Sequence, residues 1–122
     1  MPSAFPARVA SQMTRMLEGV VSGDGTGSAA QIPGYSVAGK TGTTKKIDPD
    51  GTYSSTRYVA WFVGYAPITN PRVVTLVMVD EPKGAYYGGQ VAAPAFAQIT
   101  SRALLALGVP QDRPVVRTTT TP

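Results

Sequence analysis

Chemistry in this sequence has to be built from lysine, hydroxyl and carboxylate side chains. The 122 residues include no histidine and no cysteine. That removes the usual general base, the Ser-His-Asp arrangement, thiol nucleophiles, disulfides and the commonest zinc ligands. The densest run of usable groups is Lys40-Thr41-Gly42-Thr43-Thr44, and two chemistries compete for it. Gly34-Tyr-Ser-Val-Ala-Gly39-Lys40-Thr41 fits the phosphate-loop pattern G-x-x-x-x-G-K-[ST], and Val73 to Glu81 looks like the apolar strand whose acid holds magnesium in nucleotide-binding modules. A phosphate loop, however, needs a helix starting at its Lys and Thr, so that N-terminal amides point at the phosphates. Here Gly42-Thr-Thr-Lys-Lys-Ile-Asp-Pro follows, and Tyr35-Ser-Val-Ala38 between the glycines is β-compatible. The nucleotide reading therefore stands as the alternative.

On a strand the same residues mean something else. Successive side chains alternate faces, so Lys40 and Gly42 point one way and Thr41 and Thr43 the other. Lys40-Thr41-Gly42 matches the third motif of the penicillin-recognising serine enzymes, which use S-x-x-K, S-x-N and K-T-G. The similarity continues through Met16-Leu-Glu-Gly-Val-Val21, Gly25-Thr-Gly27 and Ile32-Pro33-Gly34-Tyr35 up to Thr43. It extends to Phe62-Val-Gly-Tyr-Ala-Pro67, Asn70-Pro-Arg72, Val79-Asp-Glu-Pro-Lys83, Tyr87-Gly-Gly89 and Ala92-Ala-Pro-Ala-Phe96. From about residue 9 to 112, in order and spacing, the chain resembles the C-terminal part of the transpeptidase domain of class B penicillin-binding proteins, especially the septal, cell-division type.

That resemblance implies roles at four positions. Lys40 would supply positive charge beside a serine nucleophile and help order its proton relay. The Thr41 and Thr43 hydroxyls would bind the carboxylate of a peptide or β-lactam, and Gly42 would let substrate backbone approach closely. The Thr43 N–H would be one of two oxyanion-hole donors. Substrate would lie along the strand as an added edge strand. The partners implied are peptidoglycan stem peptides and β-lactam antibiotics, with cell-division membrane proteins for the parent. No cofactor or metal is expected.

Other candidate groups have plainer readings. Asp80-Glu81 sit on opposite faces of a strand and suit surface roles better than paired acid–base work. Tyr58, Trp61, Phe62 and Tyr65 read as strand packing, and the Met residues near the start as core. Tyr86-Tyr87-Gly88-Gly89 fits a site rim or a simple connecting loop equally.

The elements that must position these groups follow from periodicity. Val9, Met13, Met16, Leu17 and Val20 predict a helix over residues 6–20, with Pro6 in its first turn. A short strand over Tyr35–Ala38 leads into the Lys40 run, and residues 45–57 read as a polar loop. Tyr58–Ala66 and Val73–Val79 form an antiparallel hairpin. Both are apolar nearly throughout, which predicts helices on both faces of the sheet. Residues 81–90 read as a loop. A second helix spans 93–107, with Phe96, Ile99, Ala103, Leu104 and Leu107 on one face, Pro94 at its start and Gly108 past its end. The fold class is α+β: a fragment of the penicillin-binding-protein/β-lactamase-like fold with a helix, three antiparallel strands and a C-terminal helix packed on the sheet. Residues 1–110 form the C-terminal portion of the domain and 111–122 a disordered tail.

No serine here has a lysine three residues on, and the only asparagine, Asn70, is preceded two residues earlier by Ile68. The acylating serine, its lysine base and the S-x-N motif are thus expected upstream, with the membrane anchor and export segment, in a longer parent that is extracytoplasmic and fixed in the inner membrane. The isolated chain is expected to be inactive. A non-catalytic interaction domain is the third class. The net charge of +4 is scattered, and Lys45-Lys46 is the only adjacent basic pair, so nucleic-acid binding is not expected. The Val73–Val79 strand, lacking sheet partners from the rest of the domain, is expected to leave an edge open to dimerisation.

Overall fold

The computed structural model describes residues 2–115. Helix α1 (Ala7–Val21) is followed by a 3-10 turn (Ser28–Ala30). Strands β1 (Ala38–Ile47), β2 (Tyr53–Ala66) and β3 (Val73–Asp80) come next, then a single helical turn, α2 (Gly88–Val91), and helix α3 (Ala93–Ala106). The three strands make one antiparallel sheet in the order β1-β2-β3, so β1 and β3 are both edges. This is the α+β class anticipated from the sequence.

β2 alternates because one face is buried and the other only half-covered. Ala60, Phe62 and Ala66 are fully buried beneath α3, and Phe62 meets Phe96 with ring centroids 4.7 Å apart. Around this pair gather Val21, Ala30, Ile32, Val37, Ala92, Ala93, Leu104 and Val109. α3 buries Ala93, Phe96, Thr100 and Leu104 at helical spacing, and the Thr100 hydroxyl donates to Thr75 Oγ at 2.9 Å. Ile99 and Leu107, expected on the buried face, lie to its side and are exposed.

Three further expectations are corrected. The face of β3 opposite α3 is open: Val74, Leu76 and Met78 are 73%, 63% and 65% exposed, so the apolar run is half-buried, not covered twice. Met13 and Met16 also face outward. α1 packs on β1 and the 3-10 turn through a stripe that includes Leu17, Val20 and Val21, with Thr14 Oγ hydrogen-bonded to the Tyr65 hydroxyl at 2.6 Å. Residues 45–57 are mostly strand: the far ends of β1 and β2 form a two-stranded ribbon joined by a tight turn at Asp48–Thr52. Its side chains are mostly polar and exposed, with Ser54 buried and Lys46, Asp48 and Arg57 half-exposed, so it carries no apolar alternation to read. Pairing and local polar contacts hold it instead. The Asp50 carboxylate accepts from the Thr52 N–H and hydroxyl at 2.9 and 2.7 Å. The Arg57 guanidinium reaches Asp48 at 2.6 Å and Glu81 at 3.4 Å, and Lys46 reaches Asp80 at 3.0 Å and Glu81 at 3.1 Å.

Two segments outside the regular elements are also fixed. Tyr35–Val37 is not strand; Tyr35 is bridged to Ile32 across Pro33-Gly34, and its hydroxyl donates to the Val109 carbonyl at 2.5 Å. The tail expected from residue 111 starts with anchored residues. The Asp112 carboxylate accepts from the Ser36 amide at 2.8 Å, from the Ser36 hydroxyl, and from the Thr69 hydroxyl at 3.0 Å. Arg113 pairs with Glu18, and its amide donates to the Gly34 carbonyl at 3.0 Å. Residues 116–122 of that expected tail lie outside the described residues.

Candidate active site

Lys40, Thr41, Gly42 and Thr43 lie on β1, and β1 continues through all of them, so no helix launches at Thr41. On a strand no helix N-terminus gathers its amides around a phosphate, and the nucleotide alternative fails on that point.

The register decides which backbone groups are free. The Glu81 amide donates to the Tyr58 carbonyl at 2.9 Å, which makes Ala60–Val79, Phe62–Val77 and Gly64–Thr75 the hydrogen-bonded pairs of β2 with β3. Trp61 and Val63 therefore turn their amides and carbonyls to β1, where they meet Gly42 and Lys40. By the same alternation, the N–H and C=O groups of Thr41 and Thr43 point away from the sheet along its open edge.

Side chains complete the wall. Lys40 is exposed, and its Nζ donates to the Thr41 carbonyl at 3.0 Å and to Thr41 Oγ at 3.4 Å. The ammonium thus sits against the outward-facing carbonyl, at the edge where a ligand would arrive. Thr41 Oγ lies 3.2 Å from Thr26 Oγ. Thr43 Oγ accepts the Gly88 N–H at 3.1 Å.

Glycine at two of these positions is a packing requirement. A Cβ on Gly42 would overlap the Trp61 indole, which occupies the space above residue 42. A Cβ on Gly88 would overlap the carbonyls of Trp61 and Gly42. The α2 turn can therefore approach β1 only because residue 88 has no side chain.

Together these residues line a cleft of ≈ 580 Å³ formed by Thr26, Ser28, Lys40–Thr43, Tyr87, Gly88, Gly89 and Gln90. Tyr87 packs against Tyr86 at 4.6 Å, and Tyr86 stacks on Tyr58 at 4.2 Å. A second cleft, ≈ 560 Å³, lies between Glu18, Gln31–Tyr35 and Arg113; the Glu18–Arg113 ion pair borders it and no open strand edge faces it. The first cleft offers one cation, several hydroxyls and outward amides. That is equipment for an extended peptide with an anionic group; Ser28 and Lys40 both line it, and the Lys40 ammonium is bonded to Thr41.

Sequence reading placed the four β1 residues correctly on one strand and left the Tyr86–Gly89 stretch open between rim and connector. The structure makes Tyr87–Gly89 part of the cleft wall. Thr26, Ser28 and Gln90 were missed as cleft residues; they come from loops and a short helical turn that reach β1 only through tertiary packing, and the Gly25-Thr-Gly27 motif was the one signal available. No helix among the described residues is long and apolar enough to cross a membrane.

Known proteins fit this geometry. Residues 3–101 match the family described as the penicillin binding protein transpeptidase domain. The chain is 40% identical over 109 residues to peptidoglycan D,D-transpeptidase FtsI of Buchnera aphidicola subsp. Baizongia pistaciae, covering 88% of this chain and 19% of that protein. It is 39% identical over 109 residues to FtsI of Escherichia coli K12, covering 88% and 18%. Among solved structures it superimposes on the transpeptidase domain of Burkholderia pseudomallei penicillin-binding protein 3 with a TM-score of 0.81 and 46% identity, over 93% of this chain and 34% of that one. Penicillin-binding protein 3 of Mycobacterium tuberculosis, solved with ampicillin, gives 0.76 and 39% identity over 86% and 25%. The chain thus spans about a fifth of the length of these two curated relatives. With the family match running through α1, all three strands and α2 into α3, the chain belongs to the penicillin-binding protein transpeptidase domain family.

Proposed function

We propose that this chain is the substrate-holding wall of a peptidoglycan D,D-transpeptidase that crosslinks stem peptides through an acyl-serine intermediate and is acylated by β-lactams. The observation that carries the reading is the open edge of β1, where the outward amides of Thr41 and Thr43 lie beside the Lys40 ammonium. An extended stem peptide adds to that edge as a further strand. Lys40 attracts the anionic end of the substrate and sets the field at a serine supplied by another part of the protein. The Thr41 and Thr43 hydroxyls hold the carboxylate. The Thr43 N–H stabilises the developing oxyanion, a donor worth about 3 kcal/mol of transition-state stabilisation. Gly42 leaves room for the Trp61 indole beside the strand and lets the substrate backbone approach closely.

The isolated chain carries no S-x-x-K and no S-x-N, so it holds substrate without acylating. The parent is anchored in the cytoplasmic membrane with this domain outside, and it works with cell-division membrane proteins. Labelling with a fluorescent penicillin tests the reading. The complete protein is expected to label covalently, its Lys40→Ala variant about 100-fold more slowly or worse, and the 122-residue chain not at all. Labelling of the isolated chain, or an unaffected Lys40→Ala variant, would refute it. A parent gene lacking S-x-x-K would leave the non-catalytic interaction class.

A further inference from the structure

The polar ribbon leaves the sheet at the point where backbone pairing is interrupted. Lys45 pairs with Tyr58 and Ile47 with Tyr53, so Lys46 on β1 faces Ser54–Arg57 on β2. A bulge of this kind breaks the ladder and bends the strand that carries it. The buried Ser54 hydroxyl takes up two of the freed donors, accepting the Thr56 and Arg57 amides at 3.2 and 3.0 Å. The ladder alone therefore does not set the angle between ribbon and sheet. Side chains from both strands of the bulge converge on one anchor instead: the Lys46 ammonium and the Arg57 guanidinium reach the Glu81 carboxylate at 3.1 and 3.4 Å. Lys46 has a second link to Asp80 at 3.0 Å, and Arg57 one to Asp48 at 2.6 Å.

Glu81 is also set apart by its backbone. Its φ of 50° lies in the left-handed region, and among the described residues every other positive φ belongs to a glycine. Glycine adopts that conformation freely, whereas a residue with a Cβ is strained in it. What glutamate adds at this position is the carboxylate. Its main chain leads to the cleft. The Glu81 amide donates to the Tyr58 carbonyl at 2.9 Å, and the chain that follows returns to lay Tyr86 on the Tyr58 ring at 4.2 Å. Tyr87 packs against Tyr86 and lines the cleft, and the Gly88 N–H donates to Thr43 Oγ at 3.1 Å. Tyr58 itself stands opposite Lys45, the last residue of β1 before the bulge. One residue thus ties the ribbon that continues β1 beyond Thr43 to the segment that walls the cleft, and every one of these contacts is made within the chain. We infer that Glu81 is a positioning residue for acylation, a role that rests on the transpeptidase reading of the cleft: its ion pairs with Lys46 and Arg57 hold the ribbon and the Tyr86–Gly88 wall as one unit around the Lys40–Thr43 edge.

Penicillin acylation of the complete protein, resolved into initial binding and acylation rate, tests this. Glu81→Gln removes only the charge, and Glu81→Gly removes the carboxylate while relieving the backbone. Both are expected to acylate about 5-fold more slowly at low salt with initial binding unchanged, since Glu81 does not line the cleft. The gap to wild type should narrow at about 1 M salt, where exposed ion pairs are screened; screening of Lys40 is common to all three proteins. In a Lys46→Gln/Arg57→Gln background, Glu81→Gln should cause no further slowing. Hydrogen exchange in Glu81→Gln should rise over residues 45–57 and 82–88 together, while the Phe62 and Phe96 segments stay protected. Variants that acylate at the full rate would overturn the proposal, and so would a fast Glu81→Gly beside a slow Glu81→Gln, which would assign the effect to the backbone. Exchange that rises in only one of the two segments would show that they are not held as one unit. A wild type that does not label would overturn the transpeptidase reading and the acylation role with it, whereas a labelled wild type with full-rate variants would overturn the role of Glu81 alone.

Discussion

Replacing Asp112 should unclip three parts of the molecule at once. Its carboxylate accepts from the buried Ser36 amide at 2.8 Å, from the Ser36 hydroxyl, and from Thr69 at 3.0 Å, and the Ser36 oxygen in turn accepts the Ile68 amide at 2.8 Å. The segment before β1, the β2–β3 turn and the chain after α3 all meet there. In Asp112→Ala the Thr69 hydroxyl turns to water at little cost. The Ser36 amide and hydroxyl, on a residue 1% exposed, lose their acceptor, and a stranded buried donor costs about 1–3 kcal/mol. Two such donors, discounted because the carboxylate is partly wet, give about 3 kcal/mol. For a chain of this size that is a fall in Tm of about 12 °C.

Acid supplies a second signature of the same node. Burial works to raise the Asp112 pKa, but the Ser36 hydroxyl and amide and the Thr69 hydroxyl outweigh it and hold the carboxyl below its ordinary range. A depressed carboxylate stabilises the fold fully above its unfolded pKa of about 3.9, and that contribution is lost as pH falls through the lower folded value. Urea titrations of wild type and Asp112→Ala should show a stability gap that is constant between neutral pH and about pH 5 and narrows below about pH 4. A gap under about 0.5 kcal/mol at neutral pH, or one that stays unchanged in strong acid, would refute the reasoning.

Two other perturbations separate the site from its supports. Gly88→Ala should push α2 off β1, because its Cβ meets the backbone carbonyls of Trp61 and Gly42, and should break the Gly88 N–H bond to Thr43. Overpacking of this kind costs about 1–3 kcal/mol, and a penicillin assay on the complete protein should report labelling slowed about 10-fold or more; a wild-type rate would show that the α2 contact does not set the cleft. Arg57→Ala removes the links to Asp48, the Ile47 carbonyl and Glu81, so hydrogen exchange should rise over residues 44–57 while the Phe62 and Phe96 segments and the Tm hardly change. Global loss of protection would mean that the ribbon is part of the core cooperative unit.

The reading of Lys40–Thr43 from sequence rested on residue types, and those carry over directly to β1. Helix α3 was equally legible, since Pro94, Gly108 and the recurrence of apolar residues bracket it. The polar ribbon was not: Lys45 pairs with Tyr58 and Ile47 with Tyr53 across an irregular register that leaves Ser54–Arg57 bulged, and a pattern of side-chain hydropathy cannot register backbone pairing. The helical turn at Gly88 was illegible for the opposite reason. Two glycines argue against helix, and it is their lack of side chains, needed for contact with β1, that holds the turn in place. Asp112 looked like the start of a loose tail because its partners, Ser36 and Thr69, lie 76 and 43 residues away.

By itself the sequence determined the chemical inventory: a lysine and hydroxyls without histidine or cysteine, on a segment able to be a strand, in an order shared with a family of acyl-transfer domains. Tertiary structure decided which amides stay free and which glycines admit a neighbour. Those outcomes depend on register and on contacts between distant segments, because a hydrogen-bonding direction alternates with every residue and is settled only when the partner strand is in place.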